Sequence, residues 1–410
     1  LALTNAEQDA RVTDRVDDVP LPDIVPGGGP TTVTGDDGQV LGVLAATTPP
    51  GPASDPVNDR VVVELLDDQV IADRLSERGV TGGRDARAAL LADAGLVVET
   101  AIRPGAVDAA RASVGASEPG ATTVVVSLEP STGEIVALSG PVGTVEAQAG
   151  SAYLPIVMAG AIESGVGVDE QIPAPARYVV ESIETVAPEQ PWTVGNFGDV
   201  DLETVTLGEA LAVSANTPWV ALFDQGRLDP DRVAALAERL GIPRDDATRP
   251  ALPASLLGVD YLRPVDVASV YASFAMAGDA VDAHTVTRIL DAEGNVVYDA
   301  DTRPQQTEPA LDASVAETVR EAMEQAVCCG ASTPAALDEG IAHFGQSGTT
   351  YNGASAWYAG STPALTTVVW TGYVGQVTSY RPLTGNDAAP VWRAYMEGAA
   401  AGPSDEQFPG

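Results

Sequence analysis

The order of its apolar segments predicts an α+β protein whose main sheet is assembled from both ends of the chain. Two runs rich in β-branched residues, 122–128 and 134–138, flank the turn residues Pro130 to Gly133 and read as a buried hairpin. Helical stretches occupy the middle of the chain. Residues 356–360 and 366–370 then read as a late strand pair. Strands early, helices between and strands late place one sheet against helices. No internal repeat with a period of roughly 20–50 residues is found.

Taken in order, the first thirty residues are acidic, end in Pro26-Gly27-Gly28-Gly29-Pro30 and read as a linker. Residues 31–44 alternate around Asp36, Asp37 and Gly38, which predicts a small hairpin. A second loop covers 47–56. From Val61 to about Ala116 the pattern gives helices and one strand, 95–101. Residues 152–162 are apolar on all sides, so that helix should be surrounded by protein. Another helix starts at Thr206, with Glu209 closing a capping box. This divides the chain into a Pro/Gly-rich linker with a hairpin (1–58), a small pedestal (59–118), the main domain (119–402) and a flexible tail (403–410).

The chain has 410 residues and a formal net charge of −37, with 58 acidic against 21 basic side chains, all arginine. That balance excludes a protein that tracks nucleic-acid phosphates, which needs clustered cations, and argues against docking on anionic lipid. The missing lysine also removes any P-loop lysine, lysine Schiff base or lysine general base. Hydrophobic residues make up 45% and charged ones 19%, which suits a packed chain rather than a disordered one. The acidity reads first as a solvated surface. No apolar run approaches the ~18 residues of a membrane span. The chain starts at Leu1, so an upstream signal or anchor is an expectation. Cys328 and Cys329 are adjacent and read as two inert thiols, with a bond between neighbours as the alternative. No metal-ligand spacing or Gly-rich phosphate loop occurs, and no cofactor is expected.

Three short stretches carry chemistry. In Ala149-Gly150-Ser151-Ala152-Tyr153-Leu154-Pro155 a serine opens the buried helix and a proline sits in its first turn. The second is Ser214-Ala215-Asn216. The third is Gln346-Ser347-Gly348-Thr349-Thr350. In order and spacing they resemble the Ser-x-x-Lys, Ser-x-Asn and Lys-Thr/Ser-Gly motifs of the penicillin-binding protein transpeptidase domain. The likeness extends to residues 125–140, to the long segment 262–278 and to the strand pair 288–299. It also takes in 95–110, which is similar to the lead-in of class A members, and 31–44, similar to the strand after their membrane anchor. The glycosyltransferase domain of those members has no counterpart in this chain. The resemblance implies a penicillin-binding protein/serine β-lactamase-like fold, an antiparallel sheet with helices on both faces.

It implies site roles as well, and the departures fall on them. Ser151 stands at the nucleophile position, Ser214 and Asn216 at the second motif, and Ser347, Gly348, Thr349 and Thr350 at substrate-binding positions. Leu154 replaces the general-base lysine and Gln346 the third-motif lysine. A serine hydroxyl is a poor nucleophile until a base takes its proton. On a helix, i and i+3 share a face, so residue 154 is where that base belongs. Loss of general-base help costs ~10²–10⁴ in rate. An oxyanion hole of the Ser151 and Thr349 backbone N–H groups would survive side-chain change.

Replacement bases are few. His343, three residues before Gln346, falls on the opposite strand face. His284 is expected in a surface loop. Tyr153, at i+2, points away from Ser151. Glu163 and Asp169 belong to a helix end and its loop, and Arg177 to a salt bridge, with binding of an acidic group as the alternative. Three readings follow. The first is an inactive transpeptidase homologue, extracytoplasmic, binding peptidoglycan stem peptide or other cell-wall proteins as a scaffold. The second is a residually active serine D,D-transpeptidase acylated at Ser151. The third is an acidic surface or assembly protein that leaves the cleft unused.

Overall fold

A computed structural model describes residues 22–44, 55–183, 191–244, 250–303, 309–338, 340–350, 352–374, 381–399 and 407–409. Most of the expected linker and of the 47–56 loop lies outside them. In chain order the strands of three or more residues and the α-helices are β1 (Thr32–Thr34), β2 (Val40–Val43), α1 (Pro56–Asp67), α2 (Gln69–Glu77), α3 (Arg84–Ala92), β3 (Val97–Thr100) and α4 (Pro104–Ser113). There follow β4 (Thr122–Leu128), β5 (Ile135–Ser139), α5 (Leu154–Glu163), β6 (Arg177–Val179), β7 (Thr193–Gly195), α6 (Leu207–Ala212), α7 (Thr217–Asp224) and α8 (Pro230–Arg239). The remainder comprises α9 (Pro264–Ala275), β8 (Val286–Leu290), β9 (Val296–Asp299), α10 (Ala313–Cys329), β10 (Phe344–Thr349), β11 (Ser355–Ser361), β12 (Thr366–Gly372) and α11 (Gly385–Gly398).

The main sheet has the order β10-β11-β12-β4-β5 and is antiparallel throughout. The early hairpin and the late strands therefore meet at the β12–β4 pairing, as the segment order requires. All of β11 and β12 is buried, because helices cover both faces. On one face Tyr271 of α9 and Trp357 of β11 reach the segment 148–152. On the other, Trp392 of α11 packs 5.1 Å from the Tyr358 ring and donates to the Thr367 carbonyl. Every residue of α9 is buried, so this helix forms the centre of the first layer. The Thr206–Glu209 capping box opens α6 as expected.

A second sheet has the order β9-β8-β3-β1-β2. It joins the N-terminal hairpin to β3, in parallel, and β3 to the strand pair 286–299. Its strands thus come from the first three of the four spans into which the sequence was divided. Glu64 of α1, 2% exposed, accepts the N–H groups of Thr285 and Val286 at the entry to β8. Arg78 pairs with buried Asp291 at 2.8 Å.

Two expectations are corrected here. Cys328 and Cys329 are joined as a disulfide rather than left as thiols; adjacency sets their Cα atoms 3.8 Å apart, within reach of each other. Within the expected flexible tail, Phe408 is docked, 5.1 Å from the Phe344 ring and under the Arg320 guanidinium at 5.0 Å. An aromatic ring with two such partners buries surface that a polar tail would leave in water.

Candidate active site

Ser151 lies in a single tight turn, residues 150–153, that runs into α5. The helix proper begins at Leu154, whose N–H donates to the Ser151 carbonyl, so the two positions are stacked one turn apart. Pro155 occupies the first turn of α5, where its missing N–H costs nothing. The turn is held from three sides. Tyr271 donates to the Ala152 carbonyl at 2.9 Å, Trp357 to the Gln148 carbonyl at 2.8 Å, and Gly150 N–H to the Gly258 carbonyl at 2.9 Å. Two glycines let β10 come close. Gly150 has φ 54° and a Cβ there would meet the Thr349 carbonyl oxygen at 2.3 Å. A Cβ on Gly348 would lie 2.1 Å from the Ala149 oxygen. No side chain larger than hydrogen fits either contact.

The second motif meets the third directly. Ser214 follows α6 with φ 56°, a left-handed backbone uncommon for serine. Its Oγ accepts from Gln346 Nε2 at 2.6 Å, and the same nitrogen lies 3.3 Å from the Leu211 carbonyl. A carbonyl can only accept, so Leu211 fixes which end of the amide faces it. Gln346 Oε1 is buried without a donor. Asn216 Nδ2 donates to the Gly195 carbonyl at the end of β7, at 3.0 Å. The Asn196 side-chain oxygen accepts from the N–H groups of Asn216 and Thr217.

The register of β10 on β11 sorts the third motif by face. Gln346 pairs with Ala359 and Gly348 with Trp357, the residue that reaches Gln148, so 346 and 348 face Ser151. Ser347 faces the other way, its Cβ 2.4 Å from where a side chain on Gly385 of α11 would begin. Its N–H points off the strand edge and donates to Ser332 Oγ at 3.1 Å. By the same parity the Thr349 N–H lies on that edge, beside Gly150. Two substrate-binding assignments therefore change. Ser347 offers neither its N–H, which Ser332 holds, nor its hydroxyl, which alternation turns to the α11 layer. Thr350 accepts from Ser355 N–H and bonds Asn352, closing the turn after β10, so its hydroxyl is spent there.

The proton chemistry is sparse. Leu154 is fully buried, and Ser151 Oγ has no hydrogen-bond partner among the described residues. Burial and the charge of Asp260 push the Tyr153 phenol well above its ordinary range, so it stays protonated. His343 lies just before β10, stacks on Trp392 and accepts the Leu337 N–H; burial lowers its pKa and it is structural. His284, expected at the surface, is 6% exposed because its backbone bridges to Gly133 and Ile135. Glu163 pairs with Arg239, and Arg177 with Asp199. Among the described residues no group of three or more potential ligands is placed to hold a metal. Sequence reasoning missed Tyr271, Asn196, Gly258 and Ser332. Each supports the site through a contact of long sequence separation, for which no local signal exists.

The family model of the penicillin binding protein transpeptidase domain matches residues 123–397. Penicillin-binding protein 1A of Mycobacterium tuberculosis is 30% identical over 351 residues, which are 77% of this chain and 41% of that protein. Penicillin-binding protein 1B of Vibrio cholerae is 34% identical over 182 residues, 44% of this chain and 22% of that protein. The chain thus spans about two-fifths of the length of the first of these curated relatives, or less. Among solved structures, PonA1 from Mycobacterium tuberculosis superposes with a TM-score of 0.69 at 27% identity, covering 84% of this chain and 92% of that one. PonA1 in complex with penicillin V gives 0.68 at 26% identity, covering 87% and 96%. The three motifs in order, the sheet that brings them together and these matches agree: the chain belongs to the penicillin-binding protein transpeptidase family.

Proposed function

We propose that this chain is a catalytically silent member of its family. It acts outside the cytoplasm in peptidoglycan assembly, receiving peptide ends or cell-wall proteins without making or breaking a peptide bond. The observation that carries this reading is Gln346, a buried neutral amide that donates to Ser214 where the motif has a lysine. Beneath the nucleophile, the other lysine position holds buried Leu154. Among the described residues no side chain is hydrogen-bonded to Ser151 to take its proton, and a serine without a base attacks a carbonyl slowly. What remains suits reception rather than turnover. The turn bearing Ser151 is pinned, and the N–H groups of Ser151 and Thr349 belong to segments in contact. The PonA1 relative whose structure contains penicillin V supports a cleft shaped for acyl-peptide-like molecules.

The test is incubation with a labelled β-lactam, read by intact mass, with Ser151→Ala as control. The expected result is no attachment above the control. Attachment that disappears in Ser151→Ala would overturn the silent reading. Among the described residues no helix is long and apolar enough to cross a membrane.

A further inference from the structure

We propose that the cleft selects an uncharged peptide end, a C-terminal carboxamide or ester, over a free carboxylate. The inference rests on the cleft being a binding site, as read above, and adds the charge of what enters it.

The polar groups that the three motifs contribute are neutral. They include the Ser151 and Ser214 hydroxyls, the Asn216 and Gln346 amides, and the backbone N–H groups of Ser151 and Thr349. Because Ser214 Oγ accepts from Gln346, its own proton is free to be donated. Because Asn216 Nδ2 is used on Gly195, its oxygen is left to accept. Gln346 Oε1, buried without a donor, is a further acceptor and adds nothing that could bind a carboxylate. A carboxamide, which gives and accepts hydrogen bonds without charge, matches this set. A carboxylate can only accept.

Among the described residues, the arginines of the segments next to the motifs are each held by a carboxylate. Arg177 is held on Asp199 at 3.0 Å, Arg244 on Asp231 at 3.4 Å and Arg263 on Asp266 at 2.8 Å. The charge felt most by Tyr153, two residues past Ser151, is the negative one of Asp260, which Arg244 opposes more weakly. The chain as a whole carries −37. A carboxylate entering the cleft sheds water and meets no unpaired cation among the described residues.

The experiment titrates the intact chain with an Nα-acyl-D-alanyl-D-alanine and, separately, with its C-terminal amide, by calorimetry. Intact mass is taken in parallel to detect any acylation. The amide should bind roughly tenfold tighter than the acid, with a wider gap at low salt. An acid that binds as tightly or more tightly overturns the proposal and leaves the cleft a binding site. If neither binds at millimolar ligand, the proposal and the receptive reading both fail. Gln346→Lys should move the preference toward the acid by roughly tenfold. Gln346→Met, which removes the amide without adding charge, should still disfavour the acid. A Gln346→Met protein that prefers the acid overturns the proposal even if Gln346→Lys does not fold.

Discussion

At the scale of the residue, the site is marked by two neutral side chains, Leu154 and Gln346. Leu154 is fully buried against the turn that carries Ser151, so restoring an amine there places a cation where no partner waits. Leu154→Lys alone should cost about 3 kcal/mol in a denaturant melt. Adding Gln346→Lys should bring back part of the β-lactam reactivity, read by intact mass. A folded double variant with none would show that the cleft has diverged beyond these positions. Ser214 offers a separate test of strain. Its left-handed φ of 56° costs a non-glycine residue roughly 1 kcal/mol. Ser214→Gly should therefore be about 1 kcal/mol more stable than Ser214→Ala, by thermal melts, although both remove the hydroxyl. The motif positions were legible because they are short and ordered along the chain. The faces of Ser347 and Thr350 were not, since alternation says which residues share a face but not which layer that face meets.

At the scale of the element, the site depends on how α10 delivers its last residues to β10. Just past the Cys328–Cys329 pair, Ala331 N–H donates to the Ala212 carbonyl and Ser332 Oγ accepts from Ser347 N–H. The Gly330 backbone is packed on Ala212 as well, with room for no Cβ. One three-residue segment thus clamps the end of α6, which leads into Ser214, to the strand that carries Gln346. Ser332→Ala should cost about 1–2 kcal/mol and speed hydrogen exchange at the Ser347 amide in particular. Unchanged exchange there would mean that the clamp is not closed in solution. The helices, the capping box and both hairpins were legible because caps, turns and periodicity are local. The clamp was not, because it joins residues more than a hundred positions apart.

At the scale of the whole molecule, the second sheet ties the N-terminal hairpin and β3 to the strand pair 286–299, within the span of the family model. The Arg78–Asp291 pair is its most buried ion pair, with side chains 10% and 4% exposed. Burial raises the Asp291 pKa, but hydrogen bonds from Arg78 and Asn295 outweigh this and hold the carboxyl below its ordinary value. A depressed folded pKa contributes stability above the unfolded aspartate value, about 4, that is lost as pH falls through the folded one. Asp291→Asn should therefore lower the melting temperature at neutral pH and flatten its decline in acid. The net charge of −37 acts on the whole chain: added salt should raise the melting temperature by screening self-repulsion.

From the amino-acid sequence came the family, the order of the motifs, the main hairpins and the neutral residues at 154 and 346. Each of these is written in residue identity and short-range spacing. Only the tertiary structure decided that Gln346 takes hold of Ser214, that Ser347 turns to α11, that His284 is buried and that the hairpin joins a second sheet. Those facts depend on contacts between distant segments, and a one-residue change of register or face would have reversed each of them.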